Sequence, residues 1–166
     1  MISLRCCAVA ALLALASALM PAVSAARAVT EVKLERPVSH QALLRESARD
    51  GSVIVALFSL QGCPYCVAIR RDQLRHLARE QAARGLRVVE YDLSDTTPFE
   101  AKIPRAAASP AALAATLGIR LAPTVVFLGS DGSELAERLV GYSSPDFYGA
   151  YLEQRIEQAR GRVVAP

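Results

Sequence analysis

Two cysteines three residues apart are the residues most able to do chemistry in this sequence. Cys63 and Cys66 follow an apolar run at residues 52–60 and precede a long helical pattern. A cysteine at a helix start faces unpaired main-chain N–H groups and the positive end of the helix dipole, which favour its thiolate. Cys63 is therefore the predicted nucleophile, and Cys66, one turn later and more buried, is the predicted resolving cysteine. Pro64 suits the first helical position, which needs no N–H, and Tyr65 is expected at the rim of the site.

Two other roles for the cysteine pair, a structural disulfide and a zinc site, have less support in the sequence. A structural disulfide of this spacing closes almost no chain, so it removes little entropy from the unfolded state. Zinc normally takes four ligands, and the only histidines are His40 and His76, for which solvated or partly buried structural positions are expected. We therefore expect a redox-active Cys63–Cys66 disulfide, with no metal and no further cofactor.

The first 26 residues have the pattern of an export signal. One positive charge, Arg5, precedes an apolar run at residues 6–20, and small residues at 21–26 suit a signal peptidase. Cleavage after Ala26 is expected, although cuts one or two residues earlier fit nearly as well. The sequence thus predicts a signal peptide at 1–26 and export to the periplasm.

An uncleaved membrane anchor is the alternative for this segment. No charged residue lies between Arg5 and Arg27, and about 20 apolar residues can cross a bilayer, although Pro21 and the many alanines weaken that interpretation. If the signal is cleaved, two of the four cysteines are lost and the mature chain keeps only Cys63 and Cys66.

Composition indicates one ordinary domain over residues 27–166. The chain has 166 residues, of which 52% are hydrophobic, enough for a single core. Its 19 Lys and Arg against 16 Asp and Glu give a net charge of +3, which is too small to favour nucleic acid as a partner. A monomer is expected.

The order of apolar patterns predicts an α/β protein. A strand, a helix that begins at the cysteines and ends at Gly85, and a second strand form a parallel unit, with the cysteines at the carboxyl end of its first strand. Later patterns predict a helix, an antiparallel hairpin and a last helix whose apolar face is Phe147, Tyr148, Tyr151, Leu152 and Ile156. The predicted elements are helix 40–49, strand 52–60, helix 64–84, strand 86–93, helix 110–117, strands 124–128 and 134–140, and a helix from 145.

These motifs, in this order, resemble thioredoxin over about residues 39–160. They are Cys-Pro-Tyr-Cys at 63–66, Leu-Arg-Val-Val-Glu-Tyr-Asp at 86–92 and Gly-Ile-Arg-Leu-Ala-Pro-Thr at 118–124. The resemblance implies a thioredoxin fold, with a mixed central β-sheet flanked by helices. It also implies a cis-Pro123 against the cysteine pair, with Ala122 as the backbone contact for an extended substrate and Thr124 behind it. The sequence is most similar overall to exported, SoxW-like bacterial thioredoxins.

Three departures from thioredoxin concern the chemistry of the site. Gly62 stands where the family usually has Trp, and Leu57 stands where it keeps a buried acid. Glu90 replaces a lysine near the pair, so it could accept the Cys66 proton if it is buried there. The alternative is a strand carboxylate that faces solvent or an arginine. The Pro-Tyr dipeptide resembles that of glutaredoxin, but no glutathione-binding residues can be assigned.

Two further features could serve recognition. Arg70, Arg71, Arg75 and Arg79 follow the cysteines and either steer an acidic partner or form a solvated face. The stretch at 94–108 is longer than in thioredoxin, as it is in SoxW-like proteins, and is either a recognition loop or a neutral insertion.

The sequence thus predicts a periplasmic thiol-disulfide oxidoreductase. The resemblance favours a reductant of protein disulfides that a membrane thiol-disulfide electron donor keeps reduced. A disulfide oxidant is the alternative direction. A non-catalytic thioredoxin-like module that binds copper through the cysteine pair, or docks a partner, is the alternative class.

Overall fold

The apolar run after Gly51 forms the central strand of a mixed sheet in the computed structural model, which describes residues 33–100 and 107–163. β1 (Val53–Ser59) is buried along its whole length. It pairs in parallel with β2 (Leu86–Asp92) and antiparallel with β3 (Thr124–Leu128), which in turn pairs antiparallel with β4 (Glu134–Val140). The strand order is β2-β1-β3-β4, so the predicted mixed sheet is confirmed.

Helices cover both faces of this sheet, and two of them begin at a serine that caps them. Ser39 accepts the Ala42 N–H at 3.2 Å, and Ser109 accepts the Ala112 N–H at 3.2 Å. The helices are α1 (His40–Asp50), α2 (Pro64–Ile69), α3 (Arg75–Glu80), α4 (Pro110–Thr116) and α5 (Pro145–Arg160). The predicted signal peptide at 1–26 lies outside the described residues.

Alternation along β1 divides the core into two layers. Val53, Val55 and Leu57 point into one apolar cluster, which includes Leu74 and Ile156. The intervening residues Ile54, Ala56 and Phe58 belong to the other cluster, with side chains from α1, α4 and β2. Burial on both faces explains why β1 is continuously apolar.

The helix that follows the cysteines is interrupted and shorter than predicted. A π-helical segment, Arg70–Leu74, separates α2 from α3, and the N–H of Arg75 bonds to the oxygen of Arg70, five residues back. α3 ends at Glu80 rather than at the predicted residue 84, and turns follow to Gly85. The wider π turn was not visible in the pattern, because the buried positions keep an ordinary helical spacing.

The last helix turns a narrower face to the core than predicted. Tyr148, Leu152 and Ile156, at intervals of four, are buried. Phe147 and Tyr151 are 65% and 54% exposed, so their assignment to the apolar face was wrong. Each precedes a buried residue by one position, and one position turns a helix by about 100°, which points both side chains into solvent.

The described part of the stretch at 94–108 is tied to the body of the protein. The N–H of Phe99 donates to Ala108 at 2.9 Å, and the N–H of Ala111 donates to Asp95 at 2.9 Å. The buried ring of Phe99 packs near Tyr91 of β2 and His40 of α1.

Within residues 33–100 and 107–163, no helix is long and apolar enough to cross a membrane.

Candidate active site

Cys63 and Cys66 form a disulfide at the carboxyl end of β1. Their Cα atoms are 5.3 Å apart. Cys63 is the N-cap of α2, and its sulfur accepts the N–H of Cys66 at 3.2 Å. Cys63 is partly exposed, whereas Cys66 is fully buried. The predicted difference in burial is confirmed: Cys66 is the more buried of the two cysteines.

The residues around the pair shape an exposed rim. Gly62 has a φ of +75°, a backbone conformation in which a residue with a side chain is strained although no atom fills the space beside it. This backbone accounts for glycine where thioredoxin usually has Trp. Pro64 occupies the start of α2 and is exposed, and Tyr65 is 61% exposed, so its expected place at the rim is confirmed.

The Pro123 loop lies at the same end of the sheet. Thr124 pairs with Phe58, so β3 starts beside the end of β1, from which the cysteine loop leaves. The Ala122–Pro123 bond is cis, which confirms the conformation that the resemblance implied. Ala122 is partly exposed, and Pro123 and Thr124 are buried. The Thr124 hydroxyl donates to the oxygen of Leu121 at 2.8 Å, which ties the loop together.

Glu90 is buried rather than solvent-facing, with 2% of its surface exposed. It pairs with Leu57 across the parallel β1–β2 ladder, so both side chains project from the same face of the sheet. Leu57 itself is fully buried in the apolar cluster with Ile69 and Leu74. The acid that thioredoxin keeps on its first core strand thus has a counterpart one strand away.

The Glu90 carboxylate is held by polar partners. The hydroxyl of Ser59 donates to its Oε1 at 2.5 Å. Nε of Arg70 lies 3.4 Å from the same oxygen, and a guanidinium nitrogen of Arg36 lies 3.8 Å from it. Buried carboxylates need such partners, and this set also connects Glu90 to the cysteines, because Nε of Arg70 donates to the main-chain oxygen of Cys66 at 3.2 Å.

Arg70 is the functional candidate that sequence reasoning assigned wrongly. It was grouped with a solvated or steering basic face, but it is only 8% exposed. Arg71 and Arg79 are exposed and Arg75 is partly exposed, as expected for such a face. The missed signal is the spacing: Arg70 follows the buried Cys66 by four residues and so shares its side of the helix.

A groove of about 540 Å³ opens beside the cysteine loop. Arg70 and Glu90 line it, together with Lys33, Leu34, Arg36, Leu60, Gln61, Gly62, Val67 and Asp92. The buried ion pair therefore borders a space that water can enter.

Both histidines lie outside this site. His76 is exposed on α3, where its ring accepts the Nε–H of Arg75 at 3.1 Å. Nδ1 of His40 is 2.8 Å from the hydroxyl of Tyr91, and burial lowers the pKa of His40 to about 4. No cluster of three or more potential metal ligands occurs among the residues that the structure describes.

The chain belongs to the family of thioredoxin-like domains, whose pattern matches residues 41–156. The match includes both cysteines, Glu90 and the Pro123 loop. With the sheet described above, it establishes the predicted thioredoxin fold.

Solved structures of thioredoxins share this fold at low sequence identity. Thioredoxin from Fasciola hepatica has 21% identity and a TM-score of 0.52, with 76% of this chain and 99% of that chain covered. A poplar thioredoxin h has 20% identity and a TM-score of 0.53, with coverages of 74% and 96%. A protein described as DsbH oxidoreductase has 20% identity and a TM-score of 0.51, with coverages of 81% and 92%. A search of curated proteins found no match.

Proposed function

We propose that this protein is a periplasmic thiol-disulfide oxidoreductase that reduces protein disulfides through Cys63 and Cys66. The observation that carries the proposal is the asymmetric pair. Cys63 caps α2 and is partly exposed, and the buried Cys66 forms a disulfide with it. A purely structural disulfide needs no such difference in exposure.

The exchange follows from this asymmetry in two steps. The Cys63 thiolate attacks one sulfur of a substrate disulfide, and the other substrate sulfur leaves as a thiolate. Cys66 then loses its proton and attacks Cys63, which forms the Cys63–Cys66 bond and releases the second substrate thiolate. Two electrons pass from the protein dithiol to the substrate.

Glu90 is the proposed acceptor of the Cys66 proton. Its carboxylate is buried on the face of the sheet that carries Leu57, and Arg70 connects it to Cys66. A general base must reach the proton directly or through one water, and the contacts of Arg70 with both residues hold the carboxylate on the side of Cys66.

A substrate chain is proposed to lie across the rim between Tyr65 and the Pro123 loop. Ala122 offers main-chain groups there, Thr124 supports the loop from behind, and Pro64 and Tyr65 supply exposed surface beside the reactive sulfur. Recognition through the main chain suits substrates that share a disulfide but differ in sequence.

The direction, the partner and the place of action extend the same proposal. The pattern at residues 1–26 supports export, and an exported reductant needs a membrane thiol-disulfide donor to restore its dithiol. We further propose the SoxW-like type, because the chain combines this pattern with the longer stretch at 94–108. Cell fractionation with mass measurement of the mature protein tests export: a periplasmic form that starts near residue 27 supports it, and an unprocessed membrane form contradicts it.

Reduction of insulin by the mature protein in the presence of dithiothreitol tests the activity. Catalysis that Cys63→Ser abolishes and the control Ser94→Ala leaves intact is the expected result. A protein that binds copper through the pair without accelerating insulin reduction would instead be a binding module, which contradicts the proposal.

A further inference from the structure

Arg70 contacts the Glu90 carboxylate and the main chain of Cys66, the two residues between which the proposed reaction moves a proton. Its Nε–H donates to the main-chain oxygen of Cys66 at 3.2 Å, and the same nitrogen lies 3.4 Å from Oε1 of Glu90. The side chains of Arg70 and Glu90 are 10% and 2% exposed, so water screens their charges little.

Removing an anionic partner from a buried guanidinium is costly. Before the second step of the exchange, the Glu90 carboxylate is an anionic partner of Arg70. If the proton of Cys66 moves to Glu90, the carboxyl becomes neutral and the negative charge appears on the Cys66 sulfur. Because Arg70 contacts the Glu90 carboxylate and the main chain of Cys66, its positive charge lies near both ends of this transfer.

We propose that Arg70 is a positioning residue, the shared counter-ion of Glu90 and Cys66, which allows the proton to pass between them. The inference rests on the proposed function. The transfer converts a thiol and a carboxylate into a thiolate and a carboxylic acid. The thiolate forms the bond to Cys63, the substrate thiolate departs with the electron pair of the broken bond, and Glu90 returns its proton to water.

The groove beside the cysteine loop gives the proton on Glu90 a route to water. Arg70 and Glu90 both line it, and its mouth includes Lys33 and Arg36, which are exposed. Water in the groove can therefore reach the carboxyl between cycles, although the carboxylate is almost fully enclosed by protein atoms.

The two steps separate in a stopped-flow reaction of the reduced protein with the aromatic disulfide DTNB. The first phase is attack by Cys63 and depends on DTNB concentration. The second is attack by Cys66 on the mixed disulfide and does not. Each phase releases one coloured thiolate, so both rates and their pH profiles come from one trace.

Arg70→Met should slow the second phase about tenfold at neutral pH and move its pH profile to higher pH, as expected for loss of about one unit of thiolate stabilisation. The first phase should stay within about twofold of the wild-type rate. Arg70→Lys, which keeps the charge, should restore most of the second phase. Arg79→Met, which removes an exposed arginine of α3, is the matched control and should change neither the second phase nor its profile.

A second phase in Arg70→Met with the wild-type rate and profile overturns the inference, as does an equal loss in both phases, which indicates general damage. If Arg70→Met does not fold, Arg70→Gln combined with Glu90→Gln removes both charges of this buried pair together. A wild-type second phase in that double variant also overturns the inference. A wild-type protein that shows no second phase contradicts the proposed function itself.

Discussion

Glu90 lies beside Leu57 across the β1–β2 ladder, and both side chains project from the same face of the sheet. Thioredoxin keeps a buried acid at the position of Leu57, whereas this chain fills that position with a leucine and buries the carboxylate on the neighbouring strand. The displaced acid needs its own support, which Ser59 and Arg70 supply. The site thus keeps a buried carboxylate near the cysteines but holds it with different residues.

Ser59→Ala tests the hydrogen bond to Glu90. Because the change leaves a lone pair of a buried carboxylate without its donor, the free energy of unfolding should fall by about 1–3 kcal/mol, measured by urea denaturation of the oxidised protein. Ser94→Ala removes a hydroxyl that donates an exposed hydrogen bond to the carboxylate of Asp92. This substitution should lower the free energy of unfolding by less than about 0.5 kcal/mol. Equal effects of the two substitutions would mean that Ser59 does not support Glu90.

Glu90→Ala tests the buried ion pair. Arg70 would lose a buried anionic partner, so the free energy of unfolding should fall by about 3–5 kcal/mol in the same denaturation experiment. Glu153→Ala removes the half-exposed partner of Arg84 and should cost at most about 1 kcal/mol. A loss for Glu90→Ala no larger than the loss for Glu153→Ala would contradict the described network.

The buried His40 should make the free energy of unfolding depend on pH in mild acid. Burial lowers its pKa from 6.5 to about 4, so between these values the unfolded chain binds a proton that the folded chain does not. The free energy of unfolding should therefore fall as the pH drops from 6.5 to 4, by on the order of 2–3 kcal/mol from this group. Urea midpoints across this range should show a shallower slope in His40→Gln than in the wild type.

His76→Gln is the matched control for that slope, because His76 is exposed. It should leave the acid dependence unchanged. The account of His40 is wrong if His40→Gln retains the full wild-type slope.

The face of α5 is tested by a pair of substitutions. Ile156→Ala creates a cavity in the core, so the free energy of unfolding should fall by about 2–5 kcal/mol. Tyr151→Ala truncates a side chain that is 54% exposed and should cost less than about 1 kcal/mol. Thermal denaturation of both variants checks the order, and a larger loss for Tyr151→Ala would restore the wider face that the sequence predicted.

The elements that carry the cysteines could be predicted because their signals are local. A run of β-branched residues predicted β1, and serine caps predicted the starts of α1 and α4. The motif around Pro123 predicted the loop at the same end of the sheet as the cysteine pair. The exposed rim at Tyr65 and the burial of Cys66 followed from the position of Cys63 at a helix start.

The support of Glu90 could not be predicted in the same way, because it depends on contacts between distant parts of the chain. The register of β1 against β2 brings Ser59 near Glu90, and the packing of the helix against the sheet adds Arg70. An arginine among other helix arginines gives no local sign of burial. The width of the buried face of α5 could not be predicted either, because Phe147 and Tyr151 can lie in the core or at the surface.

The reduction potential of the Cys63–Cys66 couple tests the central claim most directly. The mature protein is equilibrated in dithiothreitol or glutathione redox buffers, and its thiols are trapped and counted. We predict a reversible two-electron couple near that of thioredoxin, about −270 mV, which suits a reductant supplied by a membrane donor. A value near −120 mV would make the protein a disulfide donor and contradict the predicted direction, and a pair that does not exchange at all would contradict the redox function.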